Sequence, residues 1–268
     1  MDVPTEPVAD AAMDAKMREI WARFPSRPKV RQALRDMLPP SRVTAMGCDF
    51  IVHPRDNYTE FRIWETGLPP EHVATRAIVE GLAGTDAVIV DVGANAGAFF
   101  LPLLKASGKG AKAIAFEPNP VMRARLTANV ELNGLTPRVS IFECAVGAEP
   151  GQSVLHFPRN GSLGQARIDV AYPRGGSEGV EVAILPLADC LAQAKVSRVD
   201  FLKVDVEGLE DRVIVPLLQG DPALWPKSLY FEIAHDGVWQ MPLLQVLADR
   251  GYVRVQDFDN NALFRRDG

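Results

Sequence analysis

Two short stretches of this chain carry groups able to hold an adenosine-bearing molecule. The first, Asp91-Val92-Gly93-Ala94-Asn95-Ala96-Gly97, ends a buried apolar run. Gly93 and Gly97 let the backbone pass close to a ligand and let the next helix pack on the strand. The second, Ala113-Ile114-Ala115-Phe116-Glu117-Pro118-Asn119, reads as a neighbouring parallel strand ending in an acid. A carboxylate at that point accepts both hydroxyls of a ribose. The pattern Gly-x-Asn-x-Gly is not the dinucleotide fingerprint, because Asn95 stands where a glycine would admit a pyrophosphate to the helix N-terminus. A sulfonium amino acid, with its ammonium and carboxylate, fits better. Asp91 would receive the ammonium, directly or through water; its plainer role is a turn or cap acid.

A third stretch, Leu202-Lys203-Val204-Asp205-Val206-Glu207-Gly208-Leu209-Glu210, presents Asp205 and Glu207 at the carboxyl end of a strand, where open α/β sheets bind ligands. Lys203 lies inside the apolar run and needs an acid partner. Glu210 suits the first turn of the following helix. A fourth, Phe231-Glu232-Ile233-Ala234-His235-Asp236, ends the next strand on the same side. A ligand hydroxyl that reacts at these strand ends must be held at roughly 3 Å from its target and must lose its proton to a base. Imidazole changes charge in the required range, so His235 is the expected base, oriented by Asp236 or Glu232, with Asp205 as the rival. A strand-end histidine bonded to backbone is the alternative. His53, His72 and His156 have no comparable placement. Asp205, Glu207, Glu232 and His235 are hard ligands suited to Mg²⁺, but carboxylates facing a sulfonium need no metal, and none is expected.

Composition narrows the classes. The 268 residues, 47% hydrophobic and 24% charged, are those of an ordinary folded protein with a sizeable core. A formal charge of −5 argues against a general nucleic-acid binder, which needs clustered Lys and Arg. Cys48, Cys144 and Cys190 are far apart, with no metal or redox spacing. The first residues carry acids and no apolar core, unlike a signal peptide. No apolar run approaches the roughly 20 residues of a membrane span, so a cytoplasmic location is expected.

The elements that position these groups begin after residue 86. Runs at 87–91, 113–117, 139–143, 201–205 and 229–233 read as buried parallel strands, alternating with helices at 98–105, 121–132 and 210–219. The chain closes with 252–257, the turn Asp259-Asn260-Asn261 and 262–265, a β-hairpin. Between the third and fourth strands, extended runs at 153–157 and 180–185 flank a Gly/Ser/Arg-rich loop, 158–179, expected to cover a polar acceptor. Residues 1–86 form an extension, mainly helical, with helices at 13–24, 30–38 and 71–82 and strands at 50–52 and 61–64. It offers a substrate lid, a homodimer contact or a packing appendage.

Asp-Val-Gly-Ala-Asn-x-Gly, Phe116-Glu117-Pro118-Asn119-Pro120, Leu126-x-x-Asn129-x-x-Leu132-Asn133 and Leu202 to Glu210 together resemble the FkbM family of S-adenosylmethionine-dependent methyltransferases, from about residue 87 onward. The resemblance implies a class I methyltransferase fold, an α/β Rossmann-like, mostly parallel sheet ended by an antiparallel hairpin. It implies S-adenosylmethionine as cofactor and O-methylation of a sugar, glycan or glycosylated small molecule. By the same resemblance, Asp91, Gly93, Asn95 and Gly97 line the methionine end. Glu117, with Pro118 and Asn119, holds the ribose, while Glu143, Cys144 and Ala145 flank the adenine and Asp205 lies near the methyl. Glu207, Ser162 of the loop and Trp64 of the extension are the expected acceptor contacts. Rival readings are an amine or protein side chain as acceptor, a nicotinamide oxidoreductase, and a non-catalytic cofactor-binding module. Asn95 and the hairpin count against the oxidoreductase; intact Asp91, Glu117 and Asp205 count against the module.

Overall fold

A computed structural model describes residues 7–157, 162–168 and 179–266. In chain order the elements are α1 (Ala11–Ala22), α2 (Pro28–Arg35), β1 (Ser41–Ala45), β2 (Cys48–Val52), α3 (Tyr58–Thr66), α4 (His72–Leu82), β3 (Val88–Val92), α5 (Phe100–Ala106), β4 (Lys112–Phe116), α6 (Pro120–Leu132) and β5 (Val139–Phe142). Then follow β6 (Ala145–Val146), β7 (Gly151–His156), β8 (Arg167–Ile168), β9 (Val180–Leu185), α7 (Leu187–Gln193), β10 (Phe201–Val204), α8 (Glu210–Gln219), β11 (Ser228–Glu232), α9 (Leu243–Asp249), β12 (Tyr252–Phe258) and β13 (Asn261–Arg266).

The main sheet has the order β12-β13-β11-β10-β3-β4-β5. Its five inner and edge strands from β11 to β5 are parallel, and the terminal hairpin joins β11 antiparallel through β13. This is the expected class I methyltransferase arrangement. A smaller sheet, β6-β9-β7-β8, is inserted after β5.

Burial follows the two-residue period of the strands. Ile89, Ala113, Ala115, Phe201 and Tyr230 pack on one face with Leu101 of α5, Leu126 of α6 and Ile78 of α4. Val90, Val92, Ile114, Phe116, Val204 and Phe231 pack on the other with Val213 of α8, Leu191 of α7 and Leu247 of α9. Because both faces are covered, these strands read as continuous apolar runs. The extension shares the first core through Phe50, Phe61, Ile63, Trp64 and Ala74, so it is integral to that layer.

One expectation needs correction, and two short helices lie where none was expected. Residues 61–64, read as a strand, lie inside α3. Asn57 caps this helix by accepting from Glu60 N, and Gly67 closes it in the left-handed region at φ 75°. The run Phe61, Ile63, Trp64 suits a buried helix face as well as a strand, and the caps decide between them. The extension is mainly helical, and its strand at 50–52 pairs with β1 in a hairpin. Helices α7 and α9 have no counterpart in the sequence reading.

Candidate active site

At the carboxyl ends of β3, β4, β10 and the turn after β5 lies a cleft with a cavity volume of about 120 Å³, open to solvent. Gly93 carries φ +83°, and a Cβ there would stand 2.0 Å from the backbone oxygen of Asp205. Only glycine lets the ends of β3 and β10 close on each other. Asn95 adopts φ +50°, a conformation asparagine tolerates better than most residues. Its Oδ1 accepts from Asn57 Nδ2 and from Ala96 N, both at 2.8 Å.

Glu117 is buried in the wall, with Oε2 accepting from Asn95 N at 2.8 Å and Oε1 from Asn119 N at 2.9 Å. Burial pushes its carboxyl up to about 7, against the opposing effect of those two amides. Each oxygen keeps a lone pair for a further donor. Beyond Glu117, Cys144, Ala145, Val146 and Leu155 make an apolar slot, and Phe116 stacks on Phe142 with centroids 5.0 Å apart. A carboxylate for vicinal hydroxyls beside an apolar slot for a ring fits an adenosine.

The opposite end is charged. Lys203 is buried, its Nζ 3.5 Å from Asp91 Oδ1 and 3.3 Å from Asp205 Oδ2. These acids hold its pKa above the ordinary lysine value in spite of burial, and burial in turn raises Asp91. Asp205 and Glu207 line the cleft. Glu207, at φ +57°, pairs with Arg167 at 3.2 Å; burial and neighbouring Asp205 raise its pKa.

Several expected site residues stand elsewhere. Asp91 is 1% exposed, is absent from the lining of the cleft and faces Lys203 at 3.5 Å. Gly97 does not line the cleft; a Cβ there would strike Leu101 and Leu126 at 2.9 Å, so it serves helix packing. Asn119 caps α6 and supports Glu117 through its amide, while Pro118 does line the cleft. Glu143 points outward, 73% exposed, and pairs with Arg123; Val146 takes its place in the slot. Trp64 is 1% exposed. Its indole donates to Asp14 and its carbonyl accepts from Arg18, so it is a core residue of the extension.

Ser162 is buried beside the lining residues Leu163 and Gly164 without reaching the cleft. Leu163 N donates to Asp56 O at 2.7 Å and Asn119 Nδ2 donates to Leu163 O at 3.4 Å, tying this segment down. Most of the loop 158–179, expected to be an acceptor cover, lies outside the described residues.

His235 and Glu232 are absent from the lining of the cleft. His235 Nδ1 lies 3.2 Å from Glu232 Oε2, and its ring faces Gly208, next to the lining residues Val206, Glu207 and Leu209. Burial raises Glu232 above the ordinary carboxylate range. Glu210, Glu232 and His235 each offer a ligand atom within 4.8 Å of the others. Glu210, however, already accepts from Val206 N, Gly208 N and Trp239 Nε1. The sequence reading missed Thr59 and Glu71, two lining residues supplied by the extension. An acid ahead of a helix reads as a cap, so nothing local marks Glu71.

Comparison with known proteins identifies the family. Residues 91–254 match the family model described as the methyltransferase FkbM domain. The chain is similar to methyltransferase sdnD of Sordaria araneosa, at 32% identity over 47% of this chain and 58% of that protein. It is similar to the 31-O-demethyl-FK506 methyltransferase FkbM of Streptomyces tacrolimicus, at 30% identity over 52% of this chain and 62% of that protein. It is also similar to the 2-O-methyltransferase NoeI of Sinorhizobium fredii, at 30% identity over 52% of this chain and 60% of that protein. The chain therefore spans about 60% of the length of these relatives. Among the described residues no helix is long and apolar enough to cross a membrane. The chain belongs to the methyltransferase FkbM domain family.

Proposed function

We propose that the protein transfers the methyl group of S-adenosylmethionine to a hydroxyl oxygen of a small polyhydroxylated acceptor: a sugar, a glycan or a glycosylated small molecule. The observation that carries this reading is the ring of acceptors at the ends of β10 and β11. Asp205 and Glu207 line the same cleft as Glu117, and the Glu232–His235 pair lies just outside that lining, against Gly208 of the 206–209 turn. Such a ring suits a ligand rich in O–H donors. The printed names of two relatives, a 31-O- and a 2-O-methyltransferase, point the same way.

The bound cofactor supplies an electrophilic methyl group on a positively charged sulfur. Glu117 would receive the ribose hydroxyls, and Gly93 would let the backbone at the strand ends approach the cofactor. Asp205 and Glu207 would accept hydrogen bonds from hydroxyls of the acceptor and fix its orientation, with Arg167 steadying Glu207. His235 would take the one proton of the acceptor oxygen that receives the methyl group. Glu232, facing Nδ1, stabilises the imidazolium and leaves the other ring nitrogen for the acceptor.

The test is a panel of sugar, glycoside and amine acceptors, read by release of S-adenosylhomocysteine. His235→Ala should lower kcat on the active acceptor by roughly 10²–10⁴-fold, remove the acidic limb of the pH–rate profile and leave S-adenosylhomocysteine binding unchanged. Turnover confined to amines would sink the O-methylation reading. A variant that keeps its rate and its acidic limb makes His235 structural.

A further inference from the structure

Glu71 immediately precedes α4 in the N-cap position, yet its side chain makes no capping bond. It turns into the cleft instead, where the Tyr230 hydroxyl donates to its carboxylate. Oε1 is sealed from solvent and has no hydrogen-bond partner among the described residues. A buried acceptor without a donor is costly, so a fold that retains one presents a place for a donor to arrive. The charges facing it are Lys203 and Asp205 of β10 and its end, and Asp91 of β3, with Tyr230 of β11 as the remaining titratable neighbour. Lys203 is already shared between Asp91 and Asp205. Three carboxylates around one ammonium leave this corner net negative.

Position across the sheet identifies what arrives. Along β5-β4-β3-β10-β11, the apolar slot of Cys144 to Val146 follows β5, Glu117 follows β4, and Gly93 follows β3. Glu71 is held on the β10–β11 side by Lys203 and Tyr230. A molecule with its ring in the slot and its ribose on Glu117 carries its far end toward Glu71. In S-adenosylmethionine that far end is the α-amino acid.

We propose that Glu71, supplied by the extension, is a cofactor-binding residue that accepts the α-ammonium group. The assignment rests on the reading of this cleft as the cofactor site. Burial pushes the Glu71 carboxyl up to about 7, with Asp205 and Asp91 adding to the shift and Lys203 and Tyr230 opposing it. In the free protein the group therefore holds a proton below that value. A bound ammonium favours the ionised form, so affinity rises with pH toward about 7 and then levels.

The experiment compares S-adenosylhomocysteine with 5′-methylthioadenosine, which keeps the ring, ribose and thioether but lacks the amino acid. Calorimetry at about pH 8 should show Glu71→Gln weakening S-adenosylhomocysteine by roughly 10- to 100-fold, the loss of one charge-assisted contact. Binding of 5′-methylthioadenosine should stay within about twofold. With the wild type near pH 6.5, in two buffers of different ionisation heat, S-adenosylhomocysteine should release more protons than 5′-methylthioadenosine. Equal losses for both ligands, or none for either, overturn the assignment. If Glu71→Gln fails to fold, the wild-type proton counts decide, and equal counts overturn it. A wild type that binds neither ligand overturns the cofactor reading and the assignment with it.

Discussion

Replacing Glu117 with alanine separates two tasks of one carboxylate. The first is the ligand. Two hydroxyls donating to an ionised acid form charge-assisted bonds worth about 1.5–3 kcal/mol each, and water entering the open cleft of the variant returns part of that. A net loss of about 2–4 kcal/mol corresponds to roughly 30- to 1000-fold weaker binding of S-adenosylhomocysteine. The second task is the turn itself, because the amides of Asn95 and Asn119 both lose their acceptor, at about 1–3 kcal/mol. That penalty depends on pH. Burial holds the Glu117 carboxyl at about 7 instead of 4.5, so between these values the native state keeps a proton that the unfolded chain has lost. The stabilisation from this group is fully present below the unfolded pKa and is lost as pH rises through the folded one. The wild type pays this cost of ionisation and the variant does not. The stability deficit of Glu117→Ala should therefore be larger near pH 5 than near pH 8. Calorimetry near pH 8 and urea unfolding at both pH values measure the two effects. An affinity within about threefold of wild type would place the ribose elsewhere, and a deficit that grows with pH would refute the electrostatic argument.

Two further substitutions probe what holds the cleft open. Gly93→Ala forces a Cβ to 2.0 Å from the Asp205 carbonyl at φ +83°; strain and the parting of β3 from β10 should lower stability by about 2–4 kcal/mol and weaken the cofactor at least tenfold. An unchanged melting temperature would mean that the strand ends stand farther apart. Arg125→Ala removes the bonds to Asp56 and Glu60, all at 2.8 Å, and strands a carboxylate that burial already pushes up to about 7. The loss should be about 3–5 kcal/mol near pH 8 and smaller in acid, where Glu60 protonates; a loss below about 1 kcal/mol would refute the argument.

The strand–helix rhythm from residue 87 onward was legible because buried parallel strands are written as contiguous apolar runs. Glu210–Gln219 and Val180–Leu185 fall on the expected residues. The closing hairpin was marked by its Asp/Asn turn. Residues 61–64 were misread because a short apolar run carries no decisive period, and the caps at Asn57 and Gly67 select the helix. Glu143 and Trp64 were misassigned for a related reason. Neighbourhood in sequence does not say on which side of a strand end, or of a helix, a side chain emerges.

What the sequence by itself determined is what depends on local order. Gly93, Asn95, Glu117 and Asp205 lie at the ends of consecutive apolar runs, and parallel connection brings all such ends to one edge of the sheet. Tertiary structure decided what depends on pairing across long separations. Asp91 turned from ligand contact to counter-charge because β10 sets Lys203 against it. Gly97 became a packing contact because α5 and α6 crowd it. His235 moved beside the 206–209 turn, outside the lining of the cleft. Glu71, far from every motif, entered the cleft because the extension shares a core with the sheet. No local pattern encodes that last placement; it follows from the burial of Phe61, Trp64 and Ile78, which carries the intervening chain to the mouth of the site.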